Sequence, residues 1–287
     1  MLLGVVDAVA EARLQAAGYR SRWVRTAAGR MHAIEARAPG TGPPIVMLHG
    51  VGSRASDLGP LLHRLREDAP HVVAPDLPGH GRSDRPPGGM DPTVLQDAVF
   101  DLLDAVVPAG AVVFGNSLGG LVAVRYALHR PQRVRALVLA SPAGAPMSAD
   151  ELSRFLARFE VDDPRVAKAF VDSTFHRAPA PMLLMRPGLR ARLLDPGVRD
   201  LFARIRSTDL LTPADLASVR APTVLVWGDA EGLLPGSALS FFESNLGGAV
   251  RTVRLARAGH APYIEAPGAV AEILRETLLQ VDSGQLV

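Results

Sequence analysis

Ser117, His260 and a carboxylate at either Asp229 or Glu231 are the residue types from which a nucleophile can be built at neutral pH. A serine hydroxyl is a weak nucleophile by itself. It needs a base to take its proton, an acid to orient that base, and donors to receive the developing oxyanion. Ser117 is the central residue of Gly115-Asn116-Ser117-Leu118-Gly119, between an apolar β-type run, Ala111 to Phe114, and a helical pattern from Leu121 to His129. That context predicts strand, sharp turn and helix. The turn strains its central residue, and glycines two positions on either side let strand and helix converge without side-chain collision.

The elements that must position these residues follow from periodicity. Two short runs, Ser21 to Thr26 and Arg30 to Arg37, flank Ala27-Ala28-Gly29 and read as a hairpin at an antiparallel sheet edge. Ile45 to Leu48, His71 to Ala74, Ala111 to Phe114, Val134 to Leu139, Pro222 to Trp227 and Ala249 to Leu255 read as strands, most of them continuous apolar runs suited to burial on both faces. Helical patterns alternate with them at Leu58 to Arg66, Thr93 to Val106, Leu121 to His129, Leu239 to Leu246 and about Gly268 to Val281. Such alternation implies a mostly parallel sheet, with functional residues on loops beyond the carboxyl ends of its strands. Val51, Ser117, Glu231 and His260 all fall on such loops. The glycine-rich backbone around Val51 makes that residue's N–H a candidate oxyanion donor. From Pro146 to about Leu211 the chain reads instead as proline-cut helices without a buried strand, and this is expected to be an inserted helical cap.

Composition excludes several alternatives. The chain has 287 residues, 48% of them apolar, with 27 Gly and 24 Pro, as expected for one packed α/β domain with many turns. Without cysteine there is no disulfide, thiolate zinc site or cysteine nucleophile. The net charge is only +2, and the basic residues are arginine apart from Lys168, spread without a basic stripe; a nucleic-acid partner is not expected. No histidine pair has helical metal-ligand spacing with a carboxylate, so no metal is expected. His49 and His80 are expected to brace tight loops, whereas His32, His63, His71, His129 and His176 read as surface or cap residues. Leu2, Val5, Val6, Val9, Ala12 and Leu14 predict an N-terminal amphipathic helix packed on the body. No apolar run is long enough to span a membrane, and the cytoplasm is the expected compartment.

His49-Gly50-Val51-Gly52, the loop Asp76 to Asp84, Gly115 to Gly120, the Trp227-Gly228 strand end and Gly259-His260-Ala261-Pro262 together resemble the α/β-hydrolase superfamily along nearly the whole chain. The order serine, acid, histidine is that family's order. The resemblance implies an α/β-hydrolase fold, a mostly parallel sheet flanked by helices, with residues 1–145 and 212–287 as core and 146–211 as cap. It implies that Ser117 attacks an acyl carbon, that His260 acts as general base and then general acid, and that the N–H groups of Val51 and Leu118 hold the oxyanion. Relatives carry the acid three residues beyond the Trp-Gly glycine, which makes Glu231 the expected acid and Asp229 the alternative. Asn116, Met182 and Met185 are the expected substrate contacts, and no cofactor is implied.

The reaction expected is hydrolysis of a small-molecule carboxylic ester through an acyl-enzyme. Carbon–carbon bond hydrolases of ring-fission products also share Gly-Asn-Ser and Ser141-Pro142-Ala143-Gly144, but generally carry tryptophan where this chain has Ala261. Cofactor-free haloperoxidases use the same triad, and some relatives of this fold bind small molecules without turnover.

Overall fold

The computed structural model describes residues 2–178 and 188–284. An eight-stranded sheet runs in the order β1-β2-β4-β3-β5-β6-β7-β8. Its strands are β1 Arg20–Thr26, β2 Gly29–Arg37, β3 Ile45–Leu48, β4 His71–Pro75, β5 Ala111–Ser117, β6 Val134–Pro142, β7 Thr223–Gly228 and β8 Val250–Leu255. The hairpin β1–β2 and the pair β2–β4 are antiparallel; every other pairing is parallel. This is the architecture the resemblance implies.

Alternation along the central strands divides the core in two. Ala111 and Val113 of β5, with Leu225 and Trp227 of β7, face one layer, formed by α3 (Pro92–Val106), α4 (Leu118–His129), α9 (Pro213–Ser218) and α10 (Ala238–Asn245). Val112 and Phe114, with Val224 and Val226, face the other, where α2 (Gly59–Leu65) packs on α12 (Pro267–Asp282) through Leu61, Leu62, Ile273 and Leu274. β3, β5 and β7 are buried along their full length, which is why they read as unbroken apolar runs, whereas the edge strand β8 is only half-buried, with Arg251 and Arg254 exposed.

Between β6 and α9 the described residues form α5 (Ala149–Ala157), α6 (Pro164–Thr174), α7 (188–193) and α8 (Pro196–Arg204), and no strand. Three of these helices begin at sequence signals. Ser148 and Glu151 form a reciprocal capping box on α5, and Asp163 and Asp195 cap α6 and α8 ahead of a proline. Phe159 gathers Phe155, Phe170 and Phe202 around it at ring separations of 5.3, 5.2 and 4.9 Å.

Helix α1 (Leu2–Ala16) forms as expected but presents a different face. Val9 is 47% exposed and Ala12 is exposed, while Asp7, Ala10, Glu11 and Leu14 turn inward; the side chains of Leu2, Val5 and Val6 lie outside the described residues. The cause is ion pairing, since Asp7 meets Arg54 and Arg192. His32 and His71 also depart from the surface reading. Antiparallel pairing of β2 with β4 buries both, His32 against Asp76 at 2.8 Å and His71 against Glu35 at 2.9 Å. His63, His129 and His176 are exposed. No described helix is long and apolar enough to cross a membrane.

Candidate active site

Ser117 ends β5 at φ 52°, ψ −117°, a conformation that costs an L-residue on the order of 1–3 kcal/mol. Crowding enforces it. A Cβ at Gly119 would stand 2.3 Å from the Leu48 carbonyl oxygen, and one at Gly115 would stand 2.5 Å from that of Gly119, so any side chain there would push β5, α4 and β3 apart. Ser117 is consequently 7% exposed at the wall of a cavity of about 240 Å³, which His260, Val51 and Asn116 also line.

His260 follows β8 in a loop held from three directions. Its N–H donates to the Thr174 carbonyl at 2.7 Å, its own carbonyl accepts from the Asn116 amide at 2.9 Å, and the neighbouring Gly259 N–H donates to Glu265 at 2.7 Å. Its ring Nδ1 lies 2.8 Å from Glu231 Oε2. An ionised carboxylate only accepts, so Nδ1 carries the proton and Nε2 keeps a free lone pair.

The loop after β7 separates the two candidate acids by environment. Glu231 has a 4% exposed side chain; its Oε1 accepts from the N–H groups of Leu233 and Leu234 at 2.8 and 3.0 Å, leaving Oε2 for His260. Burial alone would push this carboxyl up, but the adjacent His260 and the donated hydrogen bonds outweigh it and hold the group at about 2. The Ser141 hydroxyl approaches the same carboxylate without reaching hydrogen-bonding geometry. Asp229 instead sits at the sheet edge with a 46% exposed side chain paired to Arg254 at 2.8 Å.

The two expected oxyanion donors lie on the loop after β3 and at the start of α4. Leu118 is the first residue of α4, where a backbone N–H has no acceptor within the helix. Val51 lines the cavity on a loop braced by His49, whose Nδ1–H donates to the Gly50 carbonyl at 2.7 Å while Nε2 accepts from the Leu77 N–H at 3.0 Å. Burial, reinforced by His80, lowers His49 to about 4, so both bonds persist at neutral pH. His80 donates from Nδ1 to the Pro78 carbonyl at 3.0 Å. Both histidines therefore brace loops, as expected. Asp76 ties the same region together, accepting from His32, Ala55 and Arg82.

Asn116 lines the cavity, yet its amide nitrogen is committed to the carbonyls of Ala140 and His260, both at 2.9 Å; its observed part is to tie the histidine loop to β5 and β6. Met182 and Met185 lie outside the described residues. The apolar lining comes from Phe159, Phe170, Phe175, Leu189 and Leu233, and Thr174 both lines the cavity and anchors His260. Those residues went unmarked in the sequence, where the clustering of Phe155, Phe159, Phe170 and Phe175 along one stretch was the available signal. Among the described residues no group of three His, Asp or Glu stands ready for a metal ion.

Residues 45–273 match the sequence profile of the alpha/beta hydrolase family. A pimeloyl-[acyl-carrier protein] methyl ester esterase of Shewanella sp. (strain MR-7) is 28% identical over 239 residues, 78% of this chain and 86% of that protein. A bacterial membrane phospholipase A superposes with a TM-score of 0.84 at 25% identity, covering 98% of this chain and 93% of its own. The 2-hydroxy-6-oxo-6-phenylhexa-2,4-dienoate hydrolase of Rhodococcus sp. strain RHA1 shares the fold, with a TM-score of 0.75 at 24% identity over 90% of this chain and 99% of its own.

Proposed function

Because the chain belongs to the alpha/beta hydrolase family, we propose that it is a carboxylic ester hydrolase that works through an acyl-enzyme on Ser117, with 146–211 as a cap over the cavity. One observation carries the reading. His260 meets the buried Glu231 carboxylate at 2.8 Å through Nδ1, and its ring shares a cavity with a strained serine.

Ser117 Oγ attacks the ester carbonyl carbon as His260 Nε2 takes its proton. The carbonyl oxygen becomes an oxyanion held by the N–H groups of Val51 and Leu118, each such donor contributing on the order of a hundred- to thousandfold in rate. Collapse expels the alcohol, which leaves with the proton from His260. Water then repeats the sequence on the acyl-enzyme: His260 takes a proton from the water, and Ser117 departs with it. Glu231 keeps the imidazole in the working tautomer throughout and stabilises the imidazolium.

The ester class is supported by the Shewanella relative, named for a methyl ester substrate, and by a largely apolar lining in which Phe159, Phe170 and Phe175 suit a hydrocarbon part. Ala261 also lines the cavity, the position at which carbon–carbon hydrolases generally carry tryptophan. A stopped-flow assay with aryl esters from acetyl to long-chain acyl tests the proposal. A burst of about one phenol per protein, followed by slower turnover, is expected. Absence of hydrolysis across the series would refute it.

A further inference from the structure

Helix α1 lies outside the residues matched to the family profile, 45–273, yet it supplies Asp7 and Ala10 to the cavity that holds Ser117 and His260. Asp7 fixes it there. Its Oδ1 accepts from Arg192 Nη2 at 2.6 Å, and its Oδ2 forms an ion pair with Arg54 Nη1 at 3.1 Å. The other terminal nitrogen of Arg192 donates to Asp57 Oδ2 at 2.6 Å, and the Ser53 hydroxyl donates to that same oxygen at 2.9 Å. One residue of α7 thus clamps α1 to the turn that precedes α2.

The cluster is electrically balanced, two arginines against two aspartates. Burial would lower Arg192, but Asp57 and Asp7 together hold its guanidinium above the usual range, so the ion pairs stay formed. Arg192 is the one fixed cation among the described lining residues, and both of its terminal nitrogens are already engaged. Among the described lining residues Asp7 and Asp57 outnumber Arg192, whose terminal nitrogens are spent on them and which keeps only a buried Nε–H without a partner, so a carboxylate would meet net negative charge, whereas an uncharged chain would meet apolar walls. Ala10 contributes only a methyl group to those walls, alongside Pro60, Leu189, Tyr263 and Ile264.

Building on the ester-hydrolase reading, we propose that α1 is a substrate-recognition element: Ala10 leaves the space into which an uncharged acyl chain extends, and the Asp7 clamp keeps the helix at that depth. Ala10 is then a determinant of chain-length specificity, and Asp7 a positioning residue. Each methylene that finds an apolar wall contributes about fourfold in binding, so a larger side chain that displaces several should be read most strongly by long substrates.

The test is the ratio of kcat/KM for p-nitrophenyl octanoate to that for p-nitrophenyl acetate in the wild type, Ala10→Leu and Ala10→Phe, each checked for folding by circular dichroism. The ratio is expected to fall by about tenfold or more in Ala10→Phe, with Ala10→Leu between. Should Ala10→Phe fail to fold, Ala10→Leu and Ala10→Val carry the comparison. An unchanged ratio in folded variants overturns the proposal, since a purely structural role would shift both esters together. If the wild type hydrolyses no ester, the ester reading itself fails, and calorimetric binding of octanamide and butanamide decides this one. Loss of the preference for octanamide in the variants would sustain it; an unaltered preference would overturn it.

Discussion

On the sheet side of the cavity, Glu231 receives its two backbone hydrogen bonds from residues two and three positions along, and its histidine from 29 residues away. On the helical side, Asp7 is held by an arginine 185 residues distant. The first arrangement is set by short loops leaving parallel strands, with backbone donors that no side-chain change removes. The second depends on how separate helices dock, and it varies whenever a helix shifts. On the proposed reading, chemistry sits where the backbone decides geometry, and substrate selection where side chains decide it. Changes on the sheet side should therefore alter rate for every substrate, and changes on the helical side should alter the ranking among substrates.

The sharpest test of the sheet side is Glu231→Gln. Leu233 and Leu234 present two N–H donors to one end of this side chain, which forces the amide oxygen toward them and the amide NH₂ toward His260. The imidazole must then accept at Nδ1 and carry its proton on Nε2, where it can no longer take one from Ser117. Turnover should drop by about a thousandfold or more for short and long esters alike, with the fold retained. Asp229→Asn, at the exposed pair with Arg254, should stay within about threefold of wild type, the expectation for a solvated surface pair. Steady-state kinetics on the two purified variants reads the difference. The opposite ranking would move the acid to Asp229.

A smaller effect is expected from acid. His49 is lowered to about 4 from its usual 6.5, so the unfolded chain binds a proton more readily than the folded one. The stability it contributes is complete above about pH 6.5 and declines as pH falls toward 4, by on the order of 3 kcal/mol. Glu231, held at about 2 against its usual 4.5, adds a second loss that begins only below about pH 4.5. Urea unfolding between pH 7.5 and 4 should show the first decline, and His49→Gln should flatten it. An equal decline in that variant would mean that other groups dominate.

The sequence made the two sides unequally legible for the same physical reason. Strand, turn and helix around Ser117 follow from neighbours in the chain, and the fold class and the strand-helix alternation could be read throughout. The two-residue offset between Asp229 and Glu231 rested on where relatives carry the acid, and the structure puts Glu231 beside His260. Non-local pairing was hidden. His32 found Asp76 across 44 residues, and His71 found Glu35 across 36, once β2 had paired with β4. The inward face of α1 is the partly polar one because Asp7 meets arginines far along the chain, so apolar periodicity marked Val9 as packed when it is exposed. Thr174 escaped notice altogether, since it acts on His260 through a backbone carbonyl that any residue could supply.

The central claim, that Ser117 carries the acyl group during turnover, is tested most directly by acid-quenching the protein in the presence of excess p-nitrophenyl butyrate and mapping the added mass by peptide mass spectrometry. The account predicts one butyryl group on Ser117, present in the wild type and absent from Ser117→Ala, which should retain about a millionth of wild-type turnover. Steady hydrolysis with no acyl group on Ser117, or undiminished hydrolysis by Ser117→Ala, would contradict it.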